Sequence, residues 1–154
     1  TASTQEKLDK AASLGADYTI NYEEDDFVEV VKENTDYGVD MVLDGVGGET
    51  TQRSLDALKE FGRMVVYGAA SGTPGRPSTD DILFGNQEII GYHLGRGLQR
   101  KPMKVLASVN ELSEMLAEGN LEVQFDRAFG LDEVADAHEY VESRQSMGKV
   151  VITP

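Results

Sequence analysis

Two hydrophobic periodicities alternate along the first half of the chain. Apolar residues spaced three and four positions apart predict helices over residues 3–14, 26–33 and 50–59. Ser3 and Glu6 have the spacing of a capping box at the start of the first helix. The run VDMVL, apolar apart from Asp40, is typical of a strand buried on both faces. In all, short apolar runs between the helices predict three strands, DYTINY, VDMVL and GRMVVYG, at residues 17–22, 39–43 and 62–68.

The second half continues this alternation after a long polar segment. Residues 69–85, AASGTPGRPSTDDILFG, contain three glycines and two prolines, which predicts a functional loop. QEIIGYHLG predicts a strand over residues 87–95, and after LEVQF a helix over residues 132–145 leads to a final strand, KVVIT. Residues 101–120 predict a helix with an apolar stripe of Met103, Leu106, Val109, Leu112 and Leu116. Strands alternating with helices predict an α/β fold with a doubly wound parallel sheet.

Composition narrows the classes of partner. The net charge is −14, from 14 Lys and Arg against 28 Asp and Glu, so a basic face for nucleic acid is not expected. No apolar run approaches the roughly 20 residues that span a bilayer, so we expect no membrane partner. The chain has no cysteine, which excludes disulfides and thiolate metal sites. These features favour a cytoplasmic protein.

The glycine-rich stretch LDGVGGET, residues 43–50, is the first candidate for a nucleotide site. A dinucleotide fingerprint needs G-x-G-x-x-G and an acidic residue roughly 20 positions later. Gly45 and Gly47 match its first two glycines, but Thr50 occupies the third position, and Glu49 would face a pyrophosphate. The fingerprint is therefore absent here. The glycines alone are consistent with a tight strand-to-helix turn or with a ligand contact at the carboxyl edge of a sheet.

Three longer segments carry a family resemblance. ASTQEKLDKAASLGADYTINYEEDDFVEVVKENT, GVDMVLDGVGGETTQRSLDALKEFGRMVVYGAASG and ESRQSMGKVVITP together resemble the quinone oxidoreductase branch of the medium-chain dehydrogenase/reductases. The resemblance runs from the first residue to the last. It implies an incomplete Rossmann-type sheet that lacks its first two strands and the fingerprint. It further implies a partial NADP-binding domain over residues 1–97, with residues 98–154 completing the catalytic domain.

The resemblance also implies a site for the adenosine end of NADP(H). It assigns Ser3, Thr4 and Lys7 to the 2′-phosphate and Tyr22 to the adenine-side phosphate. The turn at residues 1–4 has no carboxylate, and a carboxylate there would select NAD. Lys7 in a first helical turn opposes the helix macrodipole, and a bound phosphate would offset that penalty. The alternatives are an N-cap role for Ser3, a solvated Lys7 and a half-buried strand end at Tyr22.

The remaining implied cofactor contacts lie at strand ends and in the C-terminal helix. The resemblance implies that Gly45 contacts the cofactor on the adenine side and that residues 67–70 lie along the diphosphate and the nicotinamide ribose. It also implies that the backbone of residues 93–95 meets the carboxamide. An arginine from the C-terminal helix reaches the cofactor in the family, although here it could equally be a surface residue. The positions in this order are Gly45, Tyr67, Gly68, Ala69, Ala70, His93, Leu94, Gly95 and Arg144.

Neither a metal site nor a catalytic side chain is predicted. His93 and His138 are far apart in sequence, and HEYVE lacks the second histidine of H-E-x-x-H. The closest resemblance is to the zinc-free reductases of the family. Tyr67 and Tyr92 have hydroxyls that could donate to a carbonyl, but packing is the favoured role for each. The catalytic residues are therefore left unassigned.

The resemblance implies hydride transfer from NADPH to a small-molecule electron acceptor, a quinone or an α,β-unsaturated carbonyl. Two other classes stay open: a non-catalytic nucleotide-binding or interaction module, including a reductase segment of a larger synthase, and a methyltransferase. The methyltransferase is disfavoured because TAST lacks an acidic residue for the ribose. We expect the 154 residues alone to be inactive, with unpaired sheet edges. We therefore expect the chain to rearrange its sheet, to form a homodimer through residues 88–94, or to need the missing half of the fold.

Overall fold

The computed structural model describes all 154 residues, and the chain divides into two compact units, Thr1–Val105 and Leu106–Pro154. The first unit contains five helices and three strands: α1 (Gln5–Ser13), α2 (Phe27–Asn34), β1 (Val39–Asp44), α3 (Glu49–Asp56), β2 (Leu58–Val66), α4 (Thr79–Phe84), β3 (Glu88–Gly91) and α5 (Leu94–Arg100). Helix α6 (Pro102–Ala117) begins in the first unit and ends in the second. None of the helices is long and apolar enough to cross a bilayer.

The first unit is built on a parallel three-stranded sheet in the order β1-β2-β3. Its core consists of Leu55 from α3 and of Leu58 and Met64 from β2, all buried. Because α3 directs its apolar side onto one face of the sheet, that face is covered. The opposite face is not, since Met41 and Leu43 of β1 are 54% and 65% exposed.

The second unit contains the end of α6, β4 (Phe125–Gly130), a 3-10 turn (Leu131–Glu133), α7 (Val134–Glu142) and β5 (Lys149–Thr153). Strands β4 and β5 are parallel and α7 connects them. The Tyr140 hydroxyl donates to the Asp126 carboxylate at 3.1 Å, and the amide of Met147 donates to the same carboxylate at 2.7 Å. The Arg127 guanidinium lies 4.4 Å from the centre of the Tyr140 ring.

Several element predictions were wrong in their bounds. Thr4, not Ser3, caps α1, with its hydroxyl accepting from the Lys7 amide at 3.4 Å. Residues 17–22 form a single bridge, Ala2 to Asn21, because only Ala2 lies alongside them. The helix predicted over residues 50–59 ends at Asp56, since Leu58 already belongs to β2.

The second half also differs from its pattern. The segment at residues 69–85 contains α4, whose Ser78 side chain caps its first turn. The strand predicted over residues 87–95 stops at Gly91, because β2 ends at Val66, its last pairing position. The prediction that VDMVL is buried on both faces was wrong, because Met41 and Leu43 are exposed. The stripe on α6 is about half exposed or more, and its buried residue is Val105.

Candidate nucleotide site at the carboxyl edge of the sheet

The three strands of the first unit end level with one another. Asp44 at the end of β1 pairs with Val66 at the end of β2, and Val66 pairs with Gly91 at the end of β3. The chain therefore leaves the sheet three times at one edge. We call residues 45–48 the first loop, residues 67–75 the second loop and residues 92–95 the third loop. Ligands of open parallel sheets bind at this edge.

Backbone hydrogen bonds join the first loop to the second. The amide of Tyr67 donates to the Asp44 carbonyl at 2.9 Å. The amide of Ala70 donates to the Gly45 carbonyl at 3.0 Å, and the amide of Ser71 donates to the Val46 carbonyl at 2.9 Å. The predicted site residues Gly45 and 67–70 are thus brought together.

Glycines allow this close approach. A Cβ on Gly45 would lie 2.8 Å from the ring and the hydroxyl of Tyr67, and one on Gly68 would lie 2.7 Å from the Gly45 carbonyl oxygen. A Cβ on Gly47 would lie 2.5 Å from the Thr73 carbonyl oxygen. These glycines therefore form a tight turn after β1, and the turn lies at the carboxyl edge of the sheet. A ligand contact there stays a prediction.

Asp44 is the residue of this edge that sequence reasoning missed. It is only 2% exposed. Its Oδ1 accepts from the amides of Val46 at 2.8 Å and Gly47 at 3.1 Å, and its Oδ2 accepts from the Thr51 hydroxyl at 2.6 Å. The available signal was an acidic residue at the end of a mostly apolar strand, directly before glycines.

The third loop lies beside the second. The amide of Tyr92 donates to the Val66 carbonyl at 2.9 Å, which continues the pairing of the sheet by one bond. His93 then caps α5, and its Nδ1 accepts from the Arg96 amide at 3.3 Å. Leu94 and Gly95 form the first turn of that helix. The predicted set His93, Leu94 and Gly95 is therefore exposed at the carboxyl edge, on a helix start and not on a strand.

A second group of predicted residues surrounds the start of α1. The Ala2 amide donates to the Ile20 carbonyl at 3.0 Å, and the Tyr22 amide donates to the Ala2 carbonyl at 3.2 Å. Tyr22 therefore adjoins the turn that contains Ser3 and Thr4. Lys7, on the first turn of α1, is half-buried, whereas Glu6 beside it is exposed.

Arg144 belongs to the second unit. It follows α7 with a φ of 59°, a left-handed conformation, and its amide donates to the Val141 carbonyl at 3.1 Å. It therefore ends the helix that contains Tyr140. Its predicted contact with the cofactor stays a prediction.

Neither group in the first unit has the side chains of a metal site. Because the glycines let backbone segments pack without side chains between them, backbone polar groups and the exposed Tyr67 line the carboxyl edge. No three His, Cys, Asp or Glu side chains lie where they could hold a metal ion. The residues present therefore do not fit zinc.

Comparison with known proteins gives the family. A family model described as zinc-binding dehydrogenase matches residues 14–152. A 2-haloacrylate reductase from Burkholderia is 37% identical over the whole chain, which covers 47% of that relative. The Escherichia coli quinone oxidoreductase complexed with NADPH has a TM-score of 0.83 at 31% identity, with 99% of this chain and 48% of that one covered. An NAD-dependent alcohol dehydrogenase has a TM-score of 0.84 at 27% identity, with coverages of 99% and 42%. The chain thus spans about half the length of the relatives it matches.

Proposed function

The chain belongs to the zinc-binding dehydrogenase family and resembles its quinone oxidoreductase members. We therefore propose that it is part of an NADPH-dependent reductase. The first unit binds the nucleotide along the carboxyl edge of its sheet. The acceptor is a small molecule with an electron-poor double bond, a quinone or an α,β-unsaturated carbonyl. The family name mentions zinc, but this chain's residues do not fit that ion, so zinc has no part in the proposal.

The choice of NADPH over NADH rests on the lack of a carboxylate in the turn at residues 1–4, which the hydrogen bond between the Tyr22 amide and the Ala2 carbonyl joins to Tyr22. That bond holds Tyr22 against a turn, residues 1–4, that has no carboxylate. A carboxylate at this point would accept from the ribose 2′-hydroxyl and repel a 2′-phosphate. Ser3, Thr4 and Lys7 instead supply two hydroxyls and a cation, so they suit the phosphorylated ribose. The two solved relatives differ in their cofactor, since one is complexed with NADPH and the other is NAD-dependent.

The loops at the carboxyl edge bind and orient the rest of the cofactor. Gly45 lies on the adenine side, residues 67–70 follow the diphosphate and the nicotinamide ribose, and residues 93–95 meet the carboxamide. When bound, the nicotinamide supplies the hydride, and the protein supplies position and polarity. No side chain of this chain is assigned a proton-transfer role. Arg144 is proposed as a further contact to the cofactor.

The acceptor class is supported by the names of the relatives. The 2-haloacrylate reductase acts on an activated alkene by its name, and the Escherichia coli protein is a quinone oxidoreductase. A haloacrylate and a quinone both contain electron-poor double bonds, so both names are consistent with the proposed acceptor class. The 154 residues alone are proposed to lack catalysis, because the glycine fingerprint for the pyrophosphate is not among them.

A homodimer is proposed as the assembly. Strand β3 lies at the end of the sheet order β1-β2-β3, so one of its edges has no neighbouring strand in this sheet. Unpaired strand edges recruit further strands. The second candidate function, a non-catalytic interaction module, is favoured by the same edge and by the exposed face of β1.

Calorimetric titration of the 154-residue chain with NADPH and with NADH tests the proposal. We expect NADPH to bind at least about tenfold more tightly, a difference of about 1.4 kcal/mol. Equal or tighter binding of NADH contradicts the choice of cofactor. If neither nucleotide binds, the interaction module is favoured. Quinone reduction by the same sample, followed as NADPH absorbance, contradicts the proposed inactivity of these residues alone.

A further inference from the structure

The buried carboxylate of Asp44 makes three hydrogen bonds inside the chain. Three donors converge on it: the amides of Val46 and Gly47 reach Oδ1, and the hydroxyl of Thr51 reaches Oδ2 at 2.6 Å. Thr51 is itself only 1% exposed. Three of the roughly four acceptor positions of the carboxylate are occupied and the side chain is buried, so Asp44 is not accessible to a ligand. Any role in the site must be exerted through the residues that it holds.

Those residues form the contact between the first and second loops. By accepting from Val46 and Gly47, Asp44 fixes the first loop. The first loop then offers the Gly45 and Val46 carbonyls to the amides of Ala70 and Ser71 in the second loop.

The far end of the second loop depends on the same anchor. The amide of Gly48 donates to the Thr73 carbonyl at 2.8 Å. A Cβ on Gly75 would lie only 2.0 Å from the Thr51 hydroxyl oxygen, so this part of the loop rests directly on Thr51. Asp44 and Thr51 therefore form one buried polar pair beneath both loops.

We infer that Asp44 is a positioning residue for the nucleotide: through the first loop and Thr51 it sets the place of residues 67–75, of which residues 67–70 follow the cofactor in the proposed function. This inference rests on the proposed function, because it is for NADPH that the second loop has to be placed. The carboxylate suits this task since it accepts three hydrogen bonds and donates none.

Asp44→Asn and Asp44→Ala separate this role from a general need for a buried polar group. Asparagine keeps an oxygen for the two amides, and its Nδ2 can donate to the Thr51 hydroxyl, which then accepts. Alanine leaves two amides and one hydroxyl without a partner. Asp40→Asn is the matched control, because Asp40 lies on the same strand but is exposed and pairs with Lys59.

Amide hydrogen exchange and NADPH titration of these variants of the full chain test the inference. In Asp44→Ala we expect at least tenfold faster exchange at Ala70 and Ser71, with no change at Tyr92, whose bond to Val66 does not involve Asp44. We also expect at least tenfold weaker NADPH binding in this variant. In Asp44→Asn and Asp40→Asn both properties should stay within twofold of the original chain. If Asp44→Ala does not fold, Thr51→Val takes its place and should change both properties in the same direction.

Two results overturn the positioning role. One is unchanged exchange at Ala70 and Ser71 in the folded alanine variant. The other is faster exchange there with unaltered NADPH affinity, which would show that the loop contact does not serve the cofactor. Failure of the original chain to bind NADPH is a different result, because it contradicts the proposed function and with it the cofactor part of the inference. The exchange data still decide whether Asp44 holds the two loops.

Discussion

The amide of Tyr22 donates a hydrogen bond of 3.2 Å to the carbonyl oxygen of Ala2. This bond joins the segment before α2 to the turn before α1, although the two residues are 20 positions apart in the chain. It places Tyr22, proposed for the adenine-side phosphate, next to the turn that carries Ser3 and Thr4 of the proposed 2′-phosphate site. Lys7 follows on the first turn of α1.

Lys7→Gln should weaken binding of 2′,5′-ADP and leave binding of 5′-AMP unchanged. The substitution removes a cation from the 2′-phosphate and alters nothing at the adenine. We expect a five- to tenfold loss, about 1–1.4 kcal/mol. Isothermal titration of both nucleotides measures it. Lys10→Gln, one turn further along α1, is the control and should bind both as the original chain does. A loss of equal size for the two nucleotides would remove Lys7 from the 2′-phosphate site.

Gly68→Ala should destabilise the first unit, whereas Gly91→Ala should not. A Cβ on Gly68 would lie 2.7 Å from the Gly45 carbonyl oxygen, a backbone atom that cannot move without opening the loops. Overpacking of this kind costs about 1–3 kcal/mol. A Cβ on Gly91 meets nothing within 4 Å. Urea unfolding of both variants measures the difference. Equal stabilities would mean that the two loops are not packed as described.

Thr51→Val should lower the free energy of unfolding by about 1–3 kcal/mol, because it leaves an oxygen of the buried Asp44 carboxylate without its donor. Valine has nearly the same shape, so packing changes little. Thr51→Ser keeps the hydroxyl and serves as the control, with a smaller loss from the missing methyl group. Thermal and urea unfolding measure both. A valine variant as stable as the serine variant would contradict the importance of this bond.

The ion pair between Arg63 and Glu88 should make the β2–β3 pairing sensitive to acid. The hydrogen bond and then the charge of Arg63 lower the pKa of Glu88 below its ordinary 4.5. A lowered pKa stabilises the fold at pH values above 4.5, and this stabilisation is lost as the pH falls through the lowered value. We therefore expect Glu88→Gln to be less stable than the original chain at neutral pH and to approach it in acid. Unfolding between pH 3 and 7 at low salt measures the difference, and a constant offset would contradict it.

Ile90→Lys should shift the proposed homodimer towards the monomer. A lysine on an edge strand disfavours the addition of another strand, and Ile90 is 42% exposed on β3. Sedimentation equilibrium over a range of concentrations measures the shift. Leu98→Lys on α5, at a similarly exposed residue, is the control and should associate as the original chain does. A monomeric original chain at all concentrations would contradict the proposed dimer.

The hydrophobic pattern predicted the elements whose surroundings lie within the chain. The predicted strand KVVIT has the same first and last residues as β5, and VDMVL lies within β1. Most residues in these runs are apolar, and each run has a parallel neighbour in the same unit. DYTINY has a comparable pattern but forms only one bridge, because pairing needs a partner strand and only Ala2 is alongside.

The site was harder to predict than the fold. Residues such as Gly45 and Tyr67 came from a family resemblance, and the structure adds that they contact each other. Asp44 escaped notice because its importance lies in three hydrogen-bond donors that only the folded turn brings together. Thr4 displaced Ser3 as the cap for a similar reason, since a shift of one residue in the helix start changes which hydroxyl faces the Lys7 amide.

The most direct test of the account is a nuclear magnetic resonance titration of the labelled 154-residue chain with 2′,5′-ADP and, separately, with 5′-AMP. We predict that 2′,5′-ADP binds more tightly and that the additional shifts fall on the amides of Ser3, Thr4, Lys7 and Tyr22. Equal affinity for both nucleotides would contradict it, as would additional shifts that leave those four amides unmoved.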